Sequence, residues 1–399
     1  MRSLTSTRYD DLRFLGPLLE GRRIVQLGES GHGVREFDQA KVRLIRYLHE
    51  QLGYDVIAFE SSVFECWRAN QGAVLAEARQ TMRSCTYAVW WTNEVLELFE
   101  YIRQTHQTDR PLILAGIDMK PSTSLGNYEA PLLLREVVEK ADAEYALRAR
   151  SLDVQFLDEY RAIARSVPPF GPAWASLERL LPAYDSLLAW MDQHRSEIVG
   201  AYGGRAERFT VARQTVYSRI RQIRQLNLPS SSIEGNLQRE VGMADNLDAL
   251  LQGMYPGKKV IVWAHNYHIQ HDRARLLPGD GSTPPDVGDF NTMGHFVMQR
   301  HRAELYTVGL FMYRGSAAWN DREIYTVAPA VAGSLESLGY RVRMQHFFLD
   351  LSGARGRGSE WVGQMIRMKE WGVWDMIQVP REQYDGILFV DTVSPPEYL

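Results

Sequence analysis

The chain has 399 residues, 45% apolar and 24% charged, with a formal net charge of -4. This is an ordinary globular mixture, long enough for one large domain or two ordinary ones, and its mild acidity gives no reason to expect nucleic acid as a partner. Only Cys66 and Cys85 are present, which excludes a disulfide framework beyond one bridge and any cysteine-based metal motif.

The N-terminal MRSLTSTRYDDLRFLG reads as a short helix and lacks the uninterrupted apolar stretch of a signal peptide. No run approaches the ~18 apolar residues of a membrane span, so a cytoplasmic protein without a membrane partner is expected. The first apolar run, RIVQLG (23–28), is short and Val/Ile-rich without alternation, as in a strand covered on both faces. It stops at Gly-Glu-Ser-Gly-His-Gly. A helical pattern over 34–52 follows, ended by Gly53, and with DVIAF (55–59) it makes a βαβ unit. VWWTNEVLELFEYIRQ (89–104) is a helix with an aromatic start, where Trp90 and Trp91 suit a pocket lining or the core alike. After the strand PLILAGI (111–117), the stretch from 124 to 252 has helical periodicity and no convincing strand. Strands resume with KVIVWA (259–264), LYTVGLFM (305–312) and GILFV (386–390), and the Gly/Pro/Asp-rich 278–290 reads as a surface loop near the mouth of the sheet. The pattern predicts an α/β fold with a mostly parallel sheet sandwiched by helices. Residues 1–123 and 253–399 would form the core, and 124–252 a helical lid subdomain inserted over the active-site cleft.

In open parallel sheets, ligands bind beyond the carboxyl ends of the strands. RIVQLG delivers Glu29 and His32, DVIAF delivers Glu60, PLILAGI delivers Asp118, and KVIVWA delivers His265, Asn266 and His268. One charge after a strand is often just the first solvated loop residue; four strands ending so predict a single crevice holding two carboxylates and two histidines. Asp118 lies at its edge, or serves as a helix cap. Glycines 28, 31 and 33 suit a tight turn that brings backbone close to a ligand. The turn lacks the Gly-Lys-Ser/Thr of a phosphate loop, and Ser30 lacks the frame of a nucleophile elbow.

Lys41 shares a helix face with Phe37, Leu44 and Leu48. Either its stem snorkels to water or its ammonium lies between Glu29 and Glu60 and keeps both ionised, the reading adopted here. In NLQREVGMADNLDALL (236–251), Arg239 can reach the crevice or remain an exposed cation. His265 and His268, with Glu29 and His32, have the donor types of a zinc site but no diagnostic spacing; they equally suit metal-free general-base chemistry.

G-E-x-x-H-G, a basic residue twelve after the Glu, a strand ending in Phe-Glu, GID, REVGMADN, WAHNYHI and NTMGHFV occur in an order that resembles the erythromycin esterase family of macrolide-inactivating hydrolases. The resemblance runs from about residue 20 to YDGILFVDTVSPP. It implies an α/β core with a helical subdomain over the cleft, metal-free chemistry, and His32 as the base that activates water for attack on an ester carbonyl. It further implies that Glu29 and Glu60 are active-site acids, that His265 and His268 are the second histidine pair, and that Lys41 keeps the positive charge of an arginine found in several members.

Three readings follow. The first is a hydrolase of an ester or lactone in a small molecule, with no cofactor. His32, Glu29, Glu60, His265 and Lys41 carry its chemistry, and His268, Asp118, Arg239, Trp90 and Asn266 contact the substrate. The second uses the same site for cyclisation, dehydration or transesterification in natural-product biosynthesis. The third is a metal- or haem-binding protein. A monomer or weak homodimer is expected.

Overall fold

The computed structural model describes residues 1–399 except 1, 5–7, 74, 124–125 and 281–290. Its strands are β1 (Arg2–Ser3), β2 (Ile24–Leu27), β3 (Tyr54–Ser62), β4 (Ile113–Asp118), β5 (Lys259–Trp263), β6 (Leu277–Pro278), β7 (Leu305–Ala318), β8 (Ile324–Val327), β9 (His346–Asp350), β10 (Ile366–Glu370), β11 (Trp374–Gln378) and β12 (Gly386–Val393). The main sheet has the order β1-β9-β12-β7-β2-β5-β3-β4, with β8 paired to β7. Its centre, from β12 to β4, is parallel throughout and consists of the six strands read from the apolar runs. The expected α/β class with a mostly parallel sheet is therefore correct.

Alternation along these strands divides the core. Val56, Ala58, Ala115, Val260 and Val262 face one buried cluster, while Val25, Leu27, Ile57, Phe59 and Ile261 face another. The second cluster is covered by the Arg35–Leu52 and Asn93–Thr105 helices. Arg35–Leu52 ends where Gly53 adopts φ 78°, with its N–H donated to the Leu48 carbonyl, the left-handed cap that glycine accepts without strain.

Between β4 and β5 the chain is helical, including Gly126–Val138, Ala143–Ala164, Glu207–Leu226 and Ile233–Ala249. Leu134, Phe156, Val216 and Leu247 of these helices lie in the same cluster as Val56, Ala115 and Val262 of the sheet. The helices thus share the sheet's core instead of closing around one of their own.

Several elements depart from the sequence reading. The N-terminus begins as β1, antiparallel to β9, and only then makes two short helical turns, Asp10–Leu12 and Leu15–Leu18. β9 extends the sheet antiparallel to β12, and β8 folds back on β7. The 278–290 loop is entered by β6, which pairs with β11; residues 281–290 lie outside the described residues. β10 and β11 form a hairpin that, with β6, makes a separate antiparallel sheet. These strands are short and partly exposed, so they lack the dense apolar signal of the central six.

Candidate active site

β2, β5, β3 and β4 are consecutive in the sheet, so the chain segments that leave their carboxyl ends are neighbours at strand spacing. That adjacency gathers residues from opposite ends of the chain.

Glu29 is fully buried just beyond β2. His32 Nδ1 lies 2.5 Å from its Oε1, Trp90 Nε1 donates to the same oxygen at 3.2 Å, and Lys41 Nζ donates to Oε2 at 2.5 Å. Lys41 is itself fully buried, 4.4 Å above the Trp263 ring. Burial pushes its ammonium pKa down while the Glu29 charge opposes that shift. The placement differs from the expected bridge between two carboxylates: among the described residues Lys41 makes an ion pair with Glu29 and none with Glu60. Protein packing by itself requires two of the turn's glycines. A Cβ on Gly28 would stand 1.9 Å from Asn266 Oδ1, and one on Gly33 2.2 Å from the Ala318 carbonyl. Ser30 Oγ is buried, and among the described residues it has no hydrogen-bond partner and no base within reach.

Glu60, near the end of β3, has different companions. Arg239 Nη2 is 2.8 Å and His268 Nε2 3.0 Å from its Oε1, while the His265 backbone N–H donates to Oε2 at 3.0 Å. Burial opposes ionisation, yet His268 and Arg239 prevail and hold the Glu60 carboxyl well below its usual range. Arg239 also grips Asp118, with Nη2 2.6 Å from Oδ2, and Tyr87 donates to the same oxygen at 3.1 Å. His268 Nδ1 lies 2.8 Å from Glu240 Oε1. Burial disfavours a charged imidazole, but Glu240 and Glu60 outweigh it and raise His268 to about 9. With a carboxylate at each nitrogen His268 is an imidazolium, so its 3.1 Å approach to Arg239 Nη1 joins two donors and is no hydrogen bond.

His265 completes the group. Its Nδ1 accepts the Tyr267 N–H at 3.1 Å, which puts the proton on Nε2, and the buried Nε2 has no partner among the described residues. Burial, then the neighbouring His32, depresses its pKa well below the ordinary imidazole value. The rings of His32 and His265 are 4.9 Å apart between centroids.

These groups line one cavity of about 580 Å³. His32, Glu60, Trp90, Arg239, His265 and His268 are on its wall; Glu29 and Lys41 lie beneath it. Asp118 and Asn266 are not on the lining. Asp118 is taken up by Arg239, and Asn266 clips β7 by exchanging two hydrogen bonds with the Leu310 backbone. Among the described residues, no three His, Cys, Asp or Glu side chains are grouped as a metal site, and no helix is long and apolar enough to cross a membrane.

Sequence reasoning missed Glu240, Tyr87, Lys120, Gln225 and Trp371. Glu240 sits beside Arg239 in the quoted REVGMADN and could have been found there. Trp371 occupies the β10–β11 turn with φ 56°, a left-handed conformation unusual for a bulky residue. Its N–H donates to the Ser30 carbonyl at 2.5 Å, and its ring stacks on His265 at 5.3 Å and 28° and meets His32 edge-on at 5.4 Å.

The family model of erythromycin esterase matches residues 49–393. YbfO of Bacillus subtilis (strain 168) is 29% identical over 403 aligned positions, covering 96% of this chain and 87% of that protein. Erythromycin esterase type I of Escherichia coli is 26% identical over 282 positions, 66% of this chain and 65% of its own. A crystal structure of a Bacillus cereus protein superposes with a TM-score of 0.81, over 100% of this chain and 96% of that one, at 16% identity; the likeness there is of fold alone.

Proposed function

Since the chain belongs to the erythromycin esterase family, we propose that it hydrolyses an ester or lactone in a small molecule, with His32 as general base. The observation that carries this reading is the opposed state of two adjacent histidines. His32 gives its Nδ1 to a buried carboxylate and leaves Nε2 free as an acceptor, while His265 accepts at Nδ1 and keeps a buried Nε2–H that has no acceptor among the described residues.

In this mechanism His32 Nε2 takes a proton from water as the oxygen attacks the carbonyl carbon. The imidazolium that forms is stabilised by Glu29, whose own charge is anchored by Lys41. The carbonyl oxygen becomes an oxyanion and accepts from His265 Nε2–H. Glu60 holds the His265 backbone, and Arg239 and His268 hold Glu60, so that donor is fixed before the substrate arrives. On collapse, the carbon–oxygen bond breaks and His32 returns its proton to the leaving alkoxide, giving the acid and the alcohol. No step uses a covalent nucleophile, so no acyl-enzyme and no burst are expected. Nor does the mechanism route a step through a metal, because the carboxylate oxygens of Glu29 and Glu60 and both ring nitrogens of His268 are already engaged by protein partners.

The test is mass spectrometry of 14- and 16-membered macrolides incubated with the protein and with His32→Asn, alongside the metal content of both. A product heavier by one water, absent with the variant, supports the reading. A product lacking that added water would replace hydrolysis by cyclisation or dehydration. No change in any macrolide would remove macrolide resistance as the role and send the search to other esters.

A further inference from the structure

Part of the cavity wall takes no part in the chemistry above. Lys120 lies on it, in the loop after β4. That loop is rigidly built: Asp118 Oδ1 accepts the Lys120 N–H at 3.2 Å, and the buried Glu65 accepts the N–H groups of Ser122 and Thr123 at 2.6 and 2.9 Å. The Lys120 ammonium sits 5.2 Å above the Phe170 ring and, among the described residues, has no ion pair or hydrogen bond. The other charges on the lining are matched. Arg239 meets Glu60 and Asp118, His268 meets Glu60 and Glu240, and Glu370 meets Arg273 at 3.0 Å.

A second observation is independent of the first. Gln225, at the end of the Glu207–Leu226 helix, lines the same cavity at 3% exposure, and among the described residues neither the N–H donors nor the oxygen of its amide has a hydrogen-bond partner. A buried amide left open costs free energy unless something completes it, and the half-buried ammonium of Lys120 is a charge on the same wall without a counter-ion among the described residues. An ammonium and primary amide donors on the lining of one cavity suit an oxygen anion, and the Phe170 ring suits the carbon chain that would carry it.

We propose that Lys120 and the Gln225 amide form a recognition subsite for a carboxylate carried by the substrate at a distance from the reacting ester. The inference rests on the hydrolase reading in taking this cavity as the substrate site, but its test needs no turnover. The groups facing Lys120 are Arg239 and Glu240 from one helix, Asp118 from β4 and Glu60 from β3. Burial and then Arg239 push the ammonium down to about 8, against the three carboxylates. A bound carboxylate would favour the charged form, so its affinity should weaken as pH rises above that value.

The experiment is isothermal titration calorimetry of His32→Asn with the monomethyl esters of succinate through pimelate, each against its neutral dimethyl ester. At least one monoester is expected to bind about tenfold tighter than its diester, the size of one charge-assisted hydrogen bond. Lys120→Met and Lys120→Gln should abolish that preference without a change in Tm, since no ion pair is lost, and Lys120→Arg should retain it. Equal binding of acid and neutral esters, a preference that survives Lys120→Met, or no binding of any monoester overturns the subsite. None of these outcomes touches the macrolide result, and a negative macrolide panel does not touch this one.

Discussion

Glu29 and Glu60 are the same residue type, each at the carboxyl end of a parallel strand, each buried and each paired with a cation, yet the two clusters do opposite things to their histidines. Around Glu29 one histidine nitrogen is held and the other left open, and a single lysine balances the charge. Around Glu60 both imidazole nitrogens are taken: His268 is clamped between two carboxylates, and Arg239 is shared between Glu60 and Asp118. A carboxylate that holds one end of an imidazole makes a base, whereas two carboxylates at both ends make a fixed cation that cannot take a further proton. Burial and charge are alike in the two places; in the proposed mechanism the count of acceptors per imidazole is what separates the base His32 from the supporting His268.

The sharpest way to break this contrast is Glu29→Gln. It should lower kcat by about 10³–10⁴-fold through loss of the His32 tautomer and cost about 3–5 kcal/mol by leaving Lys41 buried and unpaired. Chemical denaturation should then show most of the stability restored in Glu29→Gln/Lys41→Met while activity stays lost. An unchanged stability in the single variant would remove the buried pair from the account. His32→Asn tests the catalytic half alone. It should cost about 10²–10⁴-fold in kcat with little change in Tm, because His32 is partly open to the cavity and makes one hydrogen bond.

The Glu60 cluster predicts a pH effect on stability. His268 has a folded value of about 9, above its ordinary 6.5, so its stabilisation is complete below pH 6.5 and is lost as pH rises through 9. Unfolding free energies across that window should fall by about 3 kcal/mol more in the native chain than in His268→Gln. Parallel pH curves would show that His268 is not held as a cation. Trp371→Gly has the smallest expected effect. Relief of the left-handed strain and loss of the stack on His265 oppose each other, so Tm should move by no more than the equivalent of about 1 kcal/mol while KM rises.

Much of this site is legible along the chain because a parallel sheet converts sequence position into spatial position. An apolar run that stops at a charge, as at Leu27 before Glu29 or Phe59 before Glu60, can be read without knowing the strand order. The order β2-β5-β3-β4 cannot, and it makes Glu29, His265 and Glu60 neighbours. Lys41 was legible as a lysine on an apolar face, but its assignment to Glu29 and not Glu60 depends on how the Arg35–Leu52 helix lies on the sheet. Asn266 has the residue type of a substrate contact and clips β7 instead, and nothing local distinguishes the two uses. Lys120, Gln225 and Trp371 carried no signal, since a loop lysine, a helix glutamine and a hairpin tryptophan are ordinary until the cavity brings them together.

The amino-acid sequence by itself therefore determined the six central strands, the helical stretch between β4 and β5, and the residue types that end each strand, all of which follow from local periodicity and solvation. Tertiary structure alone decided which nitrogen of each histidine is open, which carboxylate holds which cation, and which polar groups on the wall remain without partners. Those properties depend on hydrogen-bond partners contributed by residues far apart in the chain, and only packing determines how many acceptors each donor meets.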